Sequence, residues 1–148
     1  MPTRWSHLST QRLGKYAEYY TKMEFTLHGF DVYGAEVDDK SIDFVIRKDH
    51  SVYYDIQVKS LRSLNYAFFA KSKFTPRVGL FAVVALFLSD APPDLYLIPS
   101  AVWLQPNTLF VSRDYETGTS DPEWGINLSR KQLPLLAPYQ FATIIRTL

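Results

Sequence analysis

Asp43, Asp55, Gln57 and Lys59 are the residues of this 148-residue chain whose types and spacing can do chemistry. Two segments alternate with period two, Ser41-Ile42-Asp43-Phe44-Val45-Ile46 and Val52 through Lys59, and the polar Lys48-Asp49-His50-Ser51 between them reads as a hairpin turn. A turn centred near His50 makes positions 43 and 57 face one another, to within a residue of register, so Asp43 and Gln57 become neighbours. Alternation then puts Asp55, Gln57 and Lys59 on one face, opposite Tyr54, Ile56 and Val58. A carboxylate, an amide oxygen and an ammonium on one small surface form a candidate site for a hard cation, with a lysine beside it. Such a cluster suits phosphodiester hydrolysis: oxygen ligands hold Mg²⁺, the ion neutralises charge developing on the phosphate, and the lysine orients or activates the attacking water. A surface hairpin also displays Asp, Gln and Lys with no chemical role, and geometry alone leaves both readings open.

The elements that must position these residues follow from periodicity. Thr10 is expected to cap a helix over residues 11 to 28, with Leu13, Tyr16, Ala17, Tyr20, Met23 and Leu27 as its apolar stripe and Gly29 as its stop. Glu18 lies off that stripe and pairs with Lys22 at i, i+4, as an exposed residue would; Glu24 projects closer to it and is the rival carboxylate on this helix. The uniformly apolar run from Gly79 to Leu88 fits a strand buried on both faces. Between the hairpin and that strand a helical segment is expected. Asp90-Ala91-Pro92-Pro93 breaks the chain, Leu95 to Ile98 reads as a further strand, and Leu109-Phe110-Val111 as a short one. Residues 114 to 125 read as a polar loop carrying the solvated acids Asp114, Glu116, Asp121 and Glu123, with Trp124 packing back onto the sheet. The tail from Ser129 to Leu148 holds a short helix interrupted by Pro134 and Pro138. Together these elements give one α/β domain over residues 1–148 with a mixed sheet.

Composition narrows the classes. With 47% apolar residues and 16% aromatics, the chain has the makings of a core. With no cysteine, thiol nucleophiles, thiolate zinc sites and disulfide scaffolds are excluded, and oxygen ligands become the natural route to a metal. The N-terminus lacks an apolar signal core, and the longest apolar run is far short of the roughly 20 residues a membrane span needs, so a cytoplasmic protein without membrane contact is expected. The histidines His7, His28 and His50 lack metal-ligand spacing, and no P-loop, dinucleotide or esterase motif occurs. The formal charge of +1 is a cancellation: residues 57 to 89 carry Lys59, Arg62, Lys71, Lys73 and Arg77 with no acid, giving +5, and the rest carries −4. Tyr66, Phe68, Phe69 and Phe74 interleave with those cations, as phosphate contact combined with stacking would require.

Four short motifs in order, Leu13-Gly14-Lys15-Tyr16-Ala17-Glu18, Leu27-His28-Gly29-Phe30, Ser41-Ile42-Asp43-Phe44-Val45 and Ile56-Gln57-Val58-Lys59, resemble the successive motifs of the PD-(D/E)XK nuclease superfamily. The branch they resemble contains the Holliday-junction resolvases and the intron-encoded homing endonucleases. The resemblance implies a three-layer restriction-endonuclease-like fold, in which helices flank a central mixed β-sheet. It assigns Glu18 as the helix glutamate, Asp43 as the metal-binding aspartate and Lys59 as the catalytic lysine. Gln57 stands where most members carry Glu or Asp. Active members of the intron-encoded type resemble this chain in that respect, although loss of a carboxylate is also how a nuclease fold becomes a binding module. Asp55, about 7 Å along the strand from Gln57, is at best a weak substitute.

The expected function is therefore that of a Mg²⁺-dependent DNA endonuclease, with Mn²⁺ able to replace Mg²⁺. Asp43, Gln57 and Glu18 would be its metal ligands, and Lys59 would orient the water. Ser60, Arg62, Lys71, Lys73 and Arg77 are the expected contacts to double-stranded or branched DNA. Cutting both strands implies a homodimer or homotetramer. Gln57 tilts the type toward a homing or restriction-like enzyme; a Holliday-junction-type resolvase and a catalytically inactive DNA-binding module are the alternatives.

Overall fold

The computed structural model describes residues 2–35 and 41–148. Helix α1 spans Thr10–Leu27 and is capped by Ser9, one residue before the expected Thr10: the Ser9 hydroxyl accepts the Arg12 N–H at 3.1 Å. At its other end Gly29 has φ +89°, a left-handed conformation that releases the chain. Gly29 N–H bonds to the Thr26 carbonyl and Phe30 N–H to the Phe25 carbonyl, and the Phe25 and Phe30 rings meet at 5.8 Å. This is a Schellman stop with its usual apolar contact.

The buried face of α1 differs from the expected stripe. Leu13, Ala17, Thr21 and Phe25 point inward, while Met23 and Leu27 are 59% and 76% exposed. A stripe stepping by four residues passes through polar Thr21, which is buried at no cost because its hydroxyl donates to the Ala17 carbonyl at 2.7 Å.

Among the described residues eight strands follow: β1 Asp31–Gly34, β2 Phe44–Arg47, β3 Tyr53–Leu61, β4 Tyr66–Ala70, β5 Leu80–Leu86, β6 Asp94–Pro99, β7 Phe110–Arg113 and β8 Glu123–Asn127. Five form a sheet in the order β1-β2-β3-β5-β6, mixed because β3 and β5 are parallel and the other pairs antiparallel. The expected central strand is β5, buried along its whole length. Its two faces serve two cores. Phe81 and Val83 pack with Phe25, Phe44, Ile56 and the C-terminal helix α3 (Phe141–Ile144), whereas Leu80, Ala82, Val84 and Leu86 pack under Trp103, Phe69 and Phe110.

That second layer corrects the expected helical segment between the hairpin and β5. Tyr66–Ala70 is a strand: its burial alternates, with Ala67 and Phe69 inside and Phe68 outside, as an aromatic-rich segment does when it rests on a core. Strand β4 pairs with β8, and β8 with β7, in a three-stranded antiparallel sheet. The expected loop over residues 114 to 125 accordingly ends early, because β8 begins at Glu123 as the middle strand of this sheet. Glu123 is therefore a buried side chain, satisfied by the Tyr66 hydroxyl, and not a solvated loop acid. Trp124 packs as expected, its indole N–H donating to the Phe74 carbonyl at 2.9 Å. The tail holds two short helices, α2 (Leu133–Leu136) and α3, in place of one interrupted helix. No helix among the described residues is long and apolar enough to cross a membrane.

Candidate active site

The hairpin register fixes the site. Phe44 pairs with Ile56 and Val45 with Asp55, so paired positions sum to 100 as expected and Asp43 lies one step beyond the last pair, at the level of Gln57. The ladder gives way there. Asp43 N–H bonds to the Ile56 carbonyl, and Val58 N–H donates to Asp43 Oδ2 at 2.7 Å. A carboxylate thus takes the place of a backbone acceptor where the two strands separate, and that bond fixes its orientation.

Lys59 follows on the same strand, facing away from α1 with Asp55 and Gln57. Its Nζ lies 5.1 Å from the Phe69 ring centroid and 5.9 Å from that of Phe68. Burial among these rings pushes the Lys59 ammonium below its ordinary pKa, and the Asp43 charge works in the opposite direction. Asp43 and Lys59 are therefore electrostatic partners across the end of the ladder.

Helix α1 brings the third group. Glu18 and Asp43 line one cleft of about 300 Å³ together with Gly14, Lys15 and Val58. Glu18 is 16% exposed and pairs with Lys22 at 3.4 Å and Lys15 at 3.6 Å, so the expected helix ion pair and the expected place beside Asp43 are both found. The rival, Glu24, lines a different cleft with Tyr20, His28 and Tyr96. Gln11 and Lys15 line the cleft without having been singled out as site residues; for Lys15 its place three positions before Glu18 was the available signal.

The oxygen donors nearby are the Glu18 and Asp43 carboxylates, which share the cleft, and the Gln57 amide, which lies at the level of Asp43 on the face of β3 turned away from α1. All are hard oxygens, which fit Mg²⁺ or Mn²⁺ in kind. No group of three or more Asp, Glu, His or Cys side chains among the described residues is arranged to hold a metal. Asp55 adds nothing here, because Arg77 Nη2 holds its Oδ2 at 2.6 Å.

The expected DNA-contacting residues scatter. Ser60 lies on the α1 side of β3, its hydroxyl facing Gly14. Arg62 ties down the N-terminal segment through the Trp5 and Leu8 carbonyls. Lys71 bonds to Asp114 at 3.0 Å and to Ser112, and lies over Trp124. Arg77 pairs with Asp55. Lys73 is exposed and has no ion pair among the described residues.

No protein-family model matches the sequence, and no curated protein matches it. Solved structures do. The chain is similar to Hjc, a Holliday junction resolvase from the archaeal hyperthermophile Archaeoglobus fulgidus, with a TM-score of 0.55 and 18% identity over 88% of this chain and 93% of that one. It is also similar to a bacterial homing endonuclease, with a TM-score of 0.59 and 18% identity over 93% of this chain and 91% of that one. The fold is the restriction-endonuclease-like fold expected from the motifs, with its central mixed sheet.

Proposed function

We propose that this protein is a divalent-metal-dependent DNA endonuclease that hydrolyses phosphodiester bonds. The observation that carries the reading is Asp43, a carboxylate fixed at the end of a strand ladder, which shares a cleft with the helix carboxylate Glu18 and acts electrostatically on Lys59 from the other face of β3. The two similar structures support it, being a junction resolvase and a homing endonuclease on the same fold. Asp43, Gln57 and Glu18 are the residues that would hold Mg²⁺ or Mn²⁺, which when bound neutralises charge developing on the phosphate. Lys59 orients the attacking water, and burial among the aromatic rings lowers its pKa against the pull of the Asp43 charge. Lys15 and Lys22 hold the Glu18 carboxylate in place. Of the cations in the acid-free segment, we carry Lys73 forward as a phosphate contact, because it is exposed and not ion-paired among the described residues.

Gln57 favours a homing or restriction-like enzyme over a junction resolvase, and it is also the feature that motivates an inactive DNA-binding module as a second reading. The readings separate on supercoiled plasmid and branched DNA with Mg²⁺ or Mn²⁺. The expected result is metal-dependent cleavage that is lost in Lys59→Ala and Asp43→Ala while Lys59→Ala still binds DNA. Preference for four-way junctions over duplex would move the assignment to a resolvase. Binding without cutting in either metal would establish the inactive module.

A further inference from the structure

The face of β1, β2 and β3 that carries Gln57 and Lys59 also carries an arginine cluster outside the candidate site. Arg47 Nη1 donates to the Tyr53 hydroxyl at 2.6 Å and Nη2 to the Tyr33 hydroxyl at 2.7 Å, with the guanidinium 5.2 Å from each ring centroid. Three strands supply one side chain each: Tyr53 pairs with Arg47 across β2 and β3, and Tyr33 lies on β1 opposite Val45. The two tyrosines are 44% and 53% exposed.

The partners are neutral hydroxyls, so the arginine is positioned without being neutralised. No carboxylate among the described residues lies within ion-pair distance of it, Asp31 across the β1–β2 ladder included. Lys71 and Arg77, by contrast, are matched to Asp114 and Asp55. A guanidinium has five N–H donors, and two are used here. What remains is a planar, pre-oriented cation flanked by accessible aromatic faces, which suits a phosphate oxygen beside a sugar or base. Fixing the side chain in advance removes much of the entropy cost of ordering it on binding. Arg47 stands four residues along β2 from Asp43, and Tyr53 four along β3 from Gln57, about 13 Å in each case. That span corresponds to roughly four base-pair steps of duplex.

We propose that Arg47, clamped between Tyr33 and Tyr53, is a phosphate-binding post for duplex DNA running along this face toward Asp43 and Lys59, gripping the backbone about four base pairs from the scissile bond. The assignment rests on the DNA endonuclease reading and adds to it the direction in which the duplex runs across the sheet.

Fluorescence anisotropy with a labelled duplex tests this in a Lys59→Ala background, where binding is read without cleavage. Adding Arg47→Ala is expected to weaken binding about tenfold at fixed salt and to reduce the slope of log affinity against log salt by about one. Adding Arg47→Lys should keep the slope but lose part of the affinity, since the charge stays and the fork goes. A folded Arg47→Ala protein with the affinity and slope of its parent overturns the proposal. If Arg47→Ala does not fold, the lysine variant decides: affinity equal to that of the parent overturns it. A parent that binds neither duplex nor branched DNA overturns the endonuclease reading itself, whereas a parent that binds beside an indifferent Arg47 variant overturns only the post.

Discussion

Lys59 is the residue at which the proposed function and stability conflict. Its ammonium is half-buried among aromatic rings, and burial lowers its folded pKa below the ordinary 10.5, with Asp43 offsetting only part of the shift. Below that lowered value both folded and unfolded chains carry the proton, and the folded state bears the cost of a desolvated charge. Between the lowered value and 10.5 the unfolded chain still holds a proton that the folded chain has released, so stability rises with pH across this window. Lys59→Met should remove the penalty, flatten that rise and stabilise the fold by about 1 kcal/mol, or ~2–4 °C in Tm, while abolishing cleavage. Thermal melts of both proteins across the alkaline range check it, and a variant less stable than the parent would show that the Asp43–Lys59 attraction outweighs burial. Gln57 makes the complementary case. Gln57→Glu adds a charged ligand beside Asp43 and should tighten Mn²⁺ binding about tenfold, read by calorimetry without reference to activity. Unchanged affinity would remove Gln57 from the proposed metal site.

At the scale of elements, the parts that short-range pattern controls were legible in the sequence. The α1 stop at Gly29, the hairpin register and the buried β5 follow from a left-handed glycine, a period of two and an unbroken apolar run. The second sheet was not legible, because β4 and β8 pair across more than fifty residues and no local pattern records that contact. The same cause hid Glu123: its hydrophilic neighbours read as a loop, while its burial depends on a tyrosine from β4. For the site, Asp43, Gln57 and Lys59 could be placed from the hairpin alone, whereas Glu18 needed the motif resemblance, because a helix–sheet contact has no sequence periodicity. The small sheet carries its own prediction. The Tyr66 ring crosses Gly125, and a Cβ there would occupy the space of its ring and hydroxyl. Gly125→Ala should therefore expel Tyr66, strand the buried Glu123 and cost about 2 kcal/mol by denaturant titration. Tyr66→Phe leaves the same glutamate without its partner and should cost nearly as much, and a neutral result in both would place the Glu123 charge in solvent.

At the scale of the whole molecule, the separation of charge seen along the chain closes up in space. Asp55 and Asp114, from outside the acid-free segment, meet Arg77 and Lys71 from within it, and Asp43 acts on Lys59. The cations left without an acid among the described residues include Lys73 and Arg47, so the proposed DNA surface would be built from a few placed charges and not from a strong overall field. Among the described residues one chain carries one cleft shared by Glu18 and Asp43, and a duplex has two strands of opposite polarity. Two copies related by a two-fold axis present two clefts with the symmetry of the two backbones, which is the simplest way for this fold to break both. Sedimentation is expected to give the mass of a dimer or tetramer, with linear plasmid accumulating without a long-lived nicked precursor. Assemblies mixed from active and Lys59→Ala subunits should then yield nicked circles, since one cleft in each mixed pair is silent. A monomeric mass together with linear product would overturn this, because a single cleft would then be serving both strands in turn.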